Sequence, residues 1–165
     1  MKPVSNSSVL IALSSIGQLA LLGKRFPDGL LIPSAVYEEV VNTGHNRPGA
    51  REVAAAKWIT QCPLADARLV SLLQVELDHG EAAAIALAVQ ENINLILLDE
   101  KDARRAAHSL GLQPLGTVGI LLWAKQTGQI RDLRSCLDSL RIQGRFFLSD
   151  TVVRAVLQQA GELAQ

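Results

Sequence analysis

The stretch Asn94–Leu112, NLILLDEKDARRAAHSLGL, decides how the chain folds. Leu95–Leu98 is a short run of apolar residues without alternation, the pattern of a strand buried on both faces. It stops at Asp99. From Glu100 to Leu110 the spacing becomes helical, and Gly111 sits where a helix C-cap belongs. A buried strand leading at once into a helix is the unit from which parallel sheets are built.

Working outward, the same alternation recurs. KPVS, GLLIP, KWITQC and LQPLG read as further short strands. Between them, helical spacing is found in SVLIALSSIGQLALLGK, with a break near Gly17, and in SAVYEEVVN, AREVAAA, ADARLVSLLQV, HGEAAAIALAVQEN and TVGILLWAKQTG. The HGEAAAIALAVQEN helix is apolar on nearly every side. The tail from Ile130 reads as two more helices around GRFFLS. Residues 1–165 are expected to form one α/β domain with a parallel sheet covered on both faces, and its chemistry should lie beyond the carboxyl ends of the strands.

Composition narrows the field. Of the 165 residues, 48% are hydrophobic and 19% charged, as in a globular chain. Sixteen Lys and Arg balance 16 Asp and Glu, which argues against a protein that coats nucleic acid by bulk charge. Cys62 and Cys136 are far apart and are expected to be reduced thiols. With His45, His79 and His108 scattered, a His/Cys zinc site is not expected. No run approaches the roughly 18 apolar residues of a membrane span, and the apolar N-terminal stretch is interrupted by SSIGQ, so a cytoplasmic protein is expected.

Acids, or an amide in place of one, recur where strands end and helices begin. Asp99 closes the best strand, with Asp102 three residues on; capping and catalysis both account for such a pair. Glu81 shares a helix stripe with Ala84, Ile85 and Ala88, and Asp78 three residues earlier makes a capping box an equal reading. Glu38 and Glu39 sit about 130° to either side of their helix's buried face, so spacing does not choose between them. Asn6 ends the first strand, just before Ser7 and Ser8. Several carboxylates converging on one cleft repel one another and need a cation to remain ionised. Oxygen donors without Cys or His select Mg²⁺ or Mn²⁺, ions that activate water and steady charge on a phosphodiester. No GxSxG, Cys–His spacing or GxxxxGK competes with this chemistry.

The pieces VSNSSVLIALSSIGQLALL, LIPSAVYEEVV, PGAREVAAAKWI, LDHGEAAAIALA, LILLDEKDARRAAHSLGL and GTVGILLWAKQTGQI resemble the PIN-domain family, in its VapC-like, nucleic-acid-binding branch. The resemblance runs from about residue 4 to about residue 161. It implies a three-layer α/β/α sandwich with a mainly parallel sheet and a Mg²⁺- or Mn²⁺-dependent ribonuclease acting on single-stranded RNA. It also implies a toxin restrained by a small antitoxin protein, and a homodimer. Carried over by motif, the catalytic acids are Glu39, Glu81, Asp99 and Asp102, with Asn6, Glu81 and Asp99 toward the metal and Ser8 or Thr117 supporting water or metal. Lys101, Arg104 and Arg105 are candidates for phosphate contact, beside the reading that they form a solvated helix face. Trp58 and Trp123 are assigned to the core, and with aromatics only 4% of the chain, base stacking is no evident theme.

The chain departs from the family pattern at Asn6, where an aspartate is usual. Asn keeps a carbonyl ligand but loses the charge, which weakens ion binding and water activation. The alternative function is therefore a catalytically silent PIN-like module that binds RNA or protein.

Overall fold

The structure is a computed structural model and describes residues 2–163. Five strands form one sheet: β1 (Val4–Ser5), β2 (Leu30–Pro33), β3 (Ile59–Cys62), β4 (Leu95–Leu97) and β5 (Gln113–Leu115). Their order is β3-β2-β1-β4-β5, and every pairing is parallel. Val4 and Ser5 register against Ile96 and Leu97. The chain moves outward from β1 to β2 and β3, then returns to the other side of β1 for β4 and β5. That reversal opens a crevice at the carboxyl ends of β1 and β4, the place where ligands bind in open α/β sheets.

Helices cover both faces, in a three-layer α/β/α sandwich. They are α1 (Ser7–Ser15), α2 (Ala20–Arg25), α3 (Ser34–Tyr37), α4 (Ala50–Ala55), α5 (Arg68–Leu73), α6 (His79–Gln90), α7 (Lys101–Ser109), α8 (Thr117–Gln126), α9 (Leu133–Ile142) and α10 (Asp150–Gln159). One apolar cluster joins α1, α2, α8, α9 and α10 to the sheet through Leu10, Leu13, Leu22, Ile120, Leu121, Leu137 and Leu157. The other joins α6 and α7 through Ile85, Leu87, Ala103 and Ala107 to Val4, Ile96 and Leu98. Residues Gly80 to Ala88 of α6 are all buried, which is why no amphipathic period marks that helix. Small alanines let it lie close to β1, β2 and β4. Trp58 and Trp123 are partly buried and pack against the first cluster. Cys62 and Cys136 are free. Among the described residues no helix is long and apolar enough to cross a membrane.

Two elements differ from the sequence reading. The helix expected over residues 65–75 is confined to α5, because the Asp66 carboxylate takes the Arg68 N–H at 2.8 Å and turns the chain there. The helix entered at Ser34 changes character: after α3 it continues as a π-helical segment, Glu38–Thr43. This wider turn orients the residues that follow α3 differently from an unbroken α-helix.

The edges of the sheet are unequal. Gln113 N–H donates to Asn94 C=O and Leu115 C=O accepts from Leu98 N–H, at the two ends of β4, so Pro114 between them faces outward on the β5 edge. At the other edge, Thr60 and Gln61 of β3 are exposed.

The β2–β3 pairing depends on close backbone approach. Gly29 has φ +91°, and a Cβ there would lie 2.5 Å from the Trp58 carbonyl oxygen, which accepts the Leu30 N–H at 3.0 Å. Gly111 has φ +77° with nothing near its Cβ position. Gly111→Ala is therefore expected to cost about 1 kcal/mol from backbone conformation alone. Gly29→Ala should cost about 2–4 kcal/mol, because the strand must also shift. Urea unfolding of both variants checks this, and equal midpoints would contradict it.

Candidate functional site

Asn6 follows β1 directly and is 2% exposed. Its backbone N–H bonds Leu97 C=O at 3.2 Å, tying the end of β1 to β4, and its Oδ1 caps α1 by accepting the Val9 N–H at 3.4 Å. The capping role needs only an oxygen, which Asn and Asp supply alike.

Asp99 stands one residue beyond Leu98, at the end of β4. It does not cap α7, whose N-cap is Glu100 with no side-chain bond. It holds the start of α8 instead: Thr117 N–H donates to Oδ1 at 2.8 Å, and the Thr117 hydroxyl donates to Oδ2 at 2.7 Å. Thr117 is fully buried. Burial pushes the Asp99 carboxyl above its ordinary range. The Thr117 bonds and the nearby Arg104 charge pull it down, Glu100 pushes it up, and the net shift is upward. A Cβ on Gly116 would lie 2.8 Å from Asp99 Oδ1 and 2.9 Å from Arg104 Nη1, so only a glycine lets carboxylate and guanidinium share that corner.

The second group of acids lies at the start of α6. Asp78 and Glu81 form a reciprocal capping box: Glu81 N–H donates to Asp78 Oδ1 at 2.8 Å, and Asp78 N–H donates to Glu81 Oε2 at 3.2 Å. Glu81 is 8% exposed. The capping reading of this residue holds. Burial raises its carboxyl, as do the charges of Asp78, Glu100 and Glu39, against one lowering bond from the Asp78 backbone.

Glu38 and Glu39, inseparable by spacing, are separated here. Glu38 turns to the surface and accepts from Asn42 Nδ2 at 2.6 Å. Glu39 accepts from the Ser7 hydroxyl at 2.7 Å, and its Oε2 would lie 2.9 Å from a Cβ on Gly80. It thus reaches from the π-helical segment across to the starts of α1 and α6.

The remaining candidates are spread around this rim. Ser8, Asp99, Glu100 and Lys101 line a cavity of about 560 Å³ with Arg145, Phe146 and Phe147. Arg104 lines a second cavity of about 280 Å³ on the Gly116 side, which also touches Asp99. Asp102 points to solvent and pairs with Arg105 at 3.7 Å, both side chains being 66% exposed, so that pair contributes little to stability. Sequence reasoning missed Ser7, which holds Glu39, and Glu100, whose charge acts on both Glu81 and Asp99. It also missed the Arg145–Phe147 wall. The consecutive serines after β1 and the GRFFLS segment were the available signals.

The acids therefore form two groups, Glu39 with Glu81 and Asp99 with Thr117, bridged electrostatically by Glu100. Their oxygens suit a hard divalent cation. Their spacing does not make a ready ion site: among the described residues no three His, Cys, Asp or Glu side chains come together closely enough to hold a metal. Asn6, which carries no charge, stands at the end of β1, the central strand, next to β4, which leads into Asp99.

A family model described as the PIN domain matches residues 2–162 of the chain. A search of curated proteins finds no match.

The upward shift of Glu81 has a sign that can be tested. Folding favours its protonated form, so its contribution to stability is complete below the ordinary value of 4.5 and is lost as pH rises through the higher folded value. Glu81→Gln stays neutral. It is expected to be more stable than the parent at pH 7 by about 1 kcal/mol, a rise in Tm of about 2–4 °C. The advantage should vanish near pH 4. A difference independent of pH, measured by thermal unfolding across this range, would exclude the repulsion described.

Proposed function

The chain belongs to the PIN-domain family, whose members are generally divalent-metal-dependent nucleases, and from that premise we propose that it acts on single-stranded RNA at the crevice between β1 and β4. In this reading it is a ribonuclease slowed by the loss of charge at Asn6. The observation that carries the reading is Asp99. A half-buried carboxylate with both oxygens bonded to Thr117 stands at the sheet's reversal point and lines two cavities bordered by Lys101 and Arg104.

The chain's own groups divide the work as follows. Thr117 fixes the orientation of Asp99 toward the scissile phosphate. Glu39, held by Ser7, is assigned the proton of the attacking water as the water oxygen bonds to phosphorus. The phosphorus–oxygen bond to the leaving group breaks, and that oxygen takes a proton from solvent. Lys101, Arg104 and Arg105 offset charge on the flanking phosphates. Asp102 is assigned no proton transfer, because it faces solvent. The ion in this reading is Mg²⁺ or Mn²⁺, and no step is assigned to it because the acids do not stand as a ligand set. A small antitoxin and a second copy of the chain are the protein partners this reading includes.

The spacing of the acids favours a second reading, a binding module without hydrolysis. One experiment separates the two. Mn²⁺ is titrated into the parent, Asn6→Asp and Asp99→Ala, while cleavage of a mixed-sequence single-stranded RNA and the melting temperature are followed. Slow parental cleavage should rise about tenfold or more in Asn6→Asp, with a larger Mn²⁺-induced gain in Tm. Asp99→Ala should abolish cleavage. If neither the parent nor Asn6→Asp cuts RNA or gains stability with Mn²⁺, the ribonuclease reading fails and the binding module stands.

A further inference from the structure

We infer that Phe147 is a base-stacking residue that positions single-stranded RNA beside Asp99; this rests on the nucleic-acid reading of the site. Phe147 is 88% exposed, the most exposed of the large hydrophobic side chains among the described residues. A single exposed apolar side chain needs no explanation by itself. Its position does, because Phe146 and Phe147 wall the cavities of about 560 Å³ and about 280 Å³, and Asp99 lines both. The aromatic pair is thus a ridge dividing one crevice into two compartments that share the same carboxylate.

The ridge is held from both sides. Phe146 N–H bonds Leu140 C=O at 2.9 Å, and the Arg141 guanidinium donates to Leu148 C=O at 2.6 Å and to Asp150 Oδ1 at 3.2 Å. Leu148 is buried, and Ser149 caps α10 through the Val152 N–H. The backbone on both sides of Phe147 is thus anchored, while its own ring lies in solvent. The polar groups around it bear on its occupant: Lys101 and Arg145 line the larger compartment together with Asp99 and Glu100, and Arg104 lines the smaller with Asp99. An aromatic face flanked by cations, beside a carboxylate, suits a polynucleotide whose base stacks while its phosphates meet Arg and Lys.

The test measures binding of the full chain to a fluorescent mixed-sequence single-stranded RNA, and to an abasic strand of the same length with the same phosphates. Phe147→Ala should weaken RNA binding about tenfold or more while leaving the abasic strand unaffected. Phe147→Trp should retain the parental affinity, and Phe147→Leu, apolar but without a π-face, should lose as much as Phe147→Ala. Parental affinity in Phe147→Leu, or equal losses on both strands in Phe147→Ala, overturns the stacking role while the nucleic-acid reading survives. Absence of any RNA binding by the parent overturns both. A parent that sediments as a dimer and a Phe147→Ala variant that sediments as a monomer would assign the ring to a protein interface and overturn the inference.

Discussion

A carboxylate at the end of a buried strand must find donors, and the Asp99–Thr117 pair meets that constraint. Two hydrogen bonds join the end of β4 to the first residue of α8, which lies across the sheet's reversal point. The chain between them forms α7 and β5, so the pair closes a whole helix–strand unit onto the crevice. Without it, burial would push the Asp99 carboxyl further up and leave the start of α8 without its acceptor. The corner works only because Gly116 has no side chain to displace either the carboxylate or Arg104.

The strands and most helices were legible because their signals are local. Continuous apolar runs, Gly and Pro at breaks and helical spacing mark β1 to β5 and nearly all the helices. The site was legible in kind but not in arrangement. Asp99 did read as a cap, yet the helix it caps begins 18 residues later, and no local signal carries a partner at that distance. Glu38 and Glu39 were indistinguishable on a regular helix. The π-helical segment and the Ser7 hydroxyl select Glu39, and both are products of tertiary packing. Phe147 was hidden by composition, since scarce aromatics say nothing of where one of them is placed.

Negative charge in the crevice is distributed, not gathered. Glu81 is crowded by Asp78, Glu100 and Glu39, while Asp99 has Arg104 for company. An asparagine in place of the aspartate usual in the family removes a charge at the end of β1 without disturbing the cap, because Oδ1 still accepts the Val9 N–H. A neutral side chain and an intact cap are therefore compatible at this residue. The cap of α1 depends on the oxygen of residue 6 and not on its charge.

Pro114 has a consequence for how copies of this sheet can meet. An added strand beside β5 would look for an amide hydrogen at the centre of that edge and find a pyrrolidine ring, so the sheet is closed to growth on that side. The β3 side carries no proline from Ile59 to Cys62, and Gln61 lies exposed at its edge. Intermolecular strand addition, and any fibril seeded from the native state, is therefore directional: it favours the β3 side, far along the sheet from the helix that Asp99 holds.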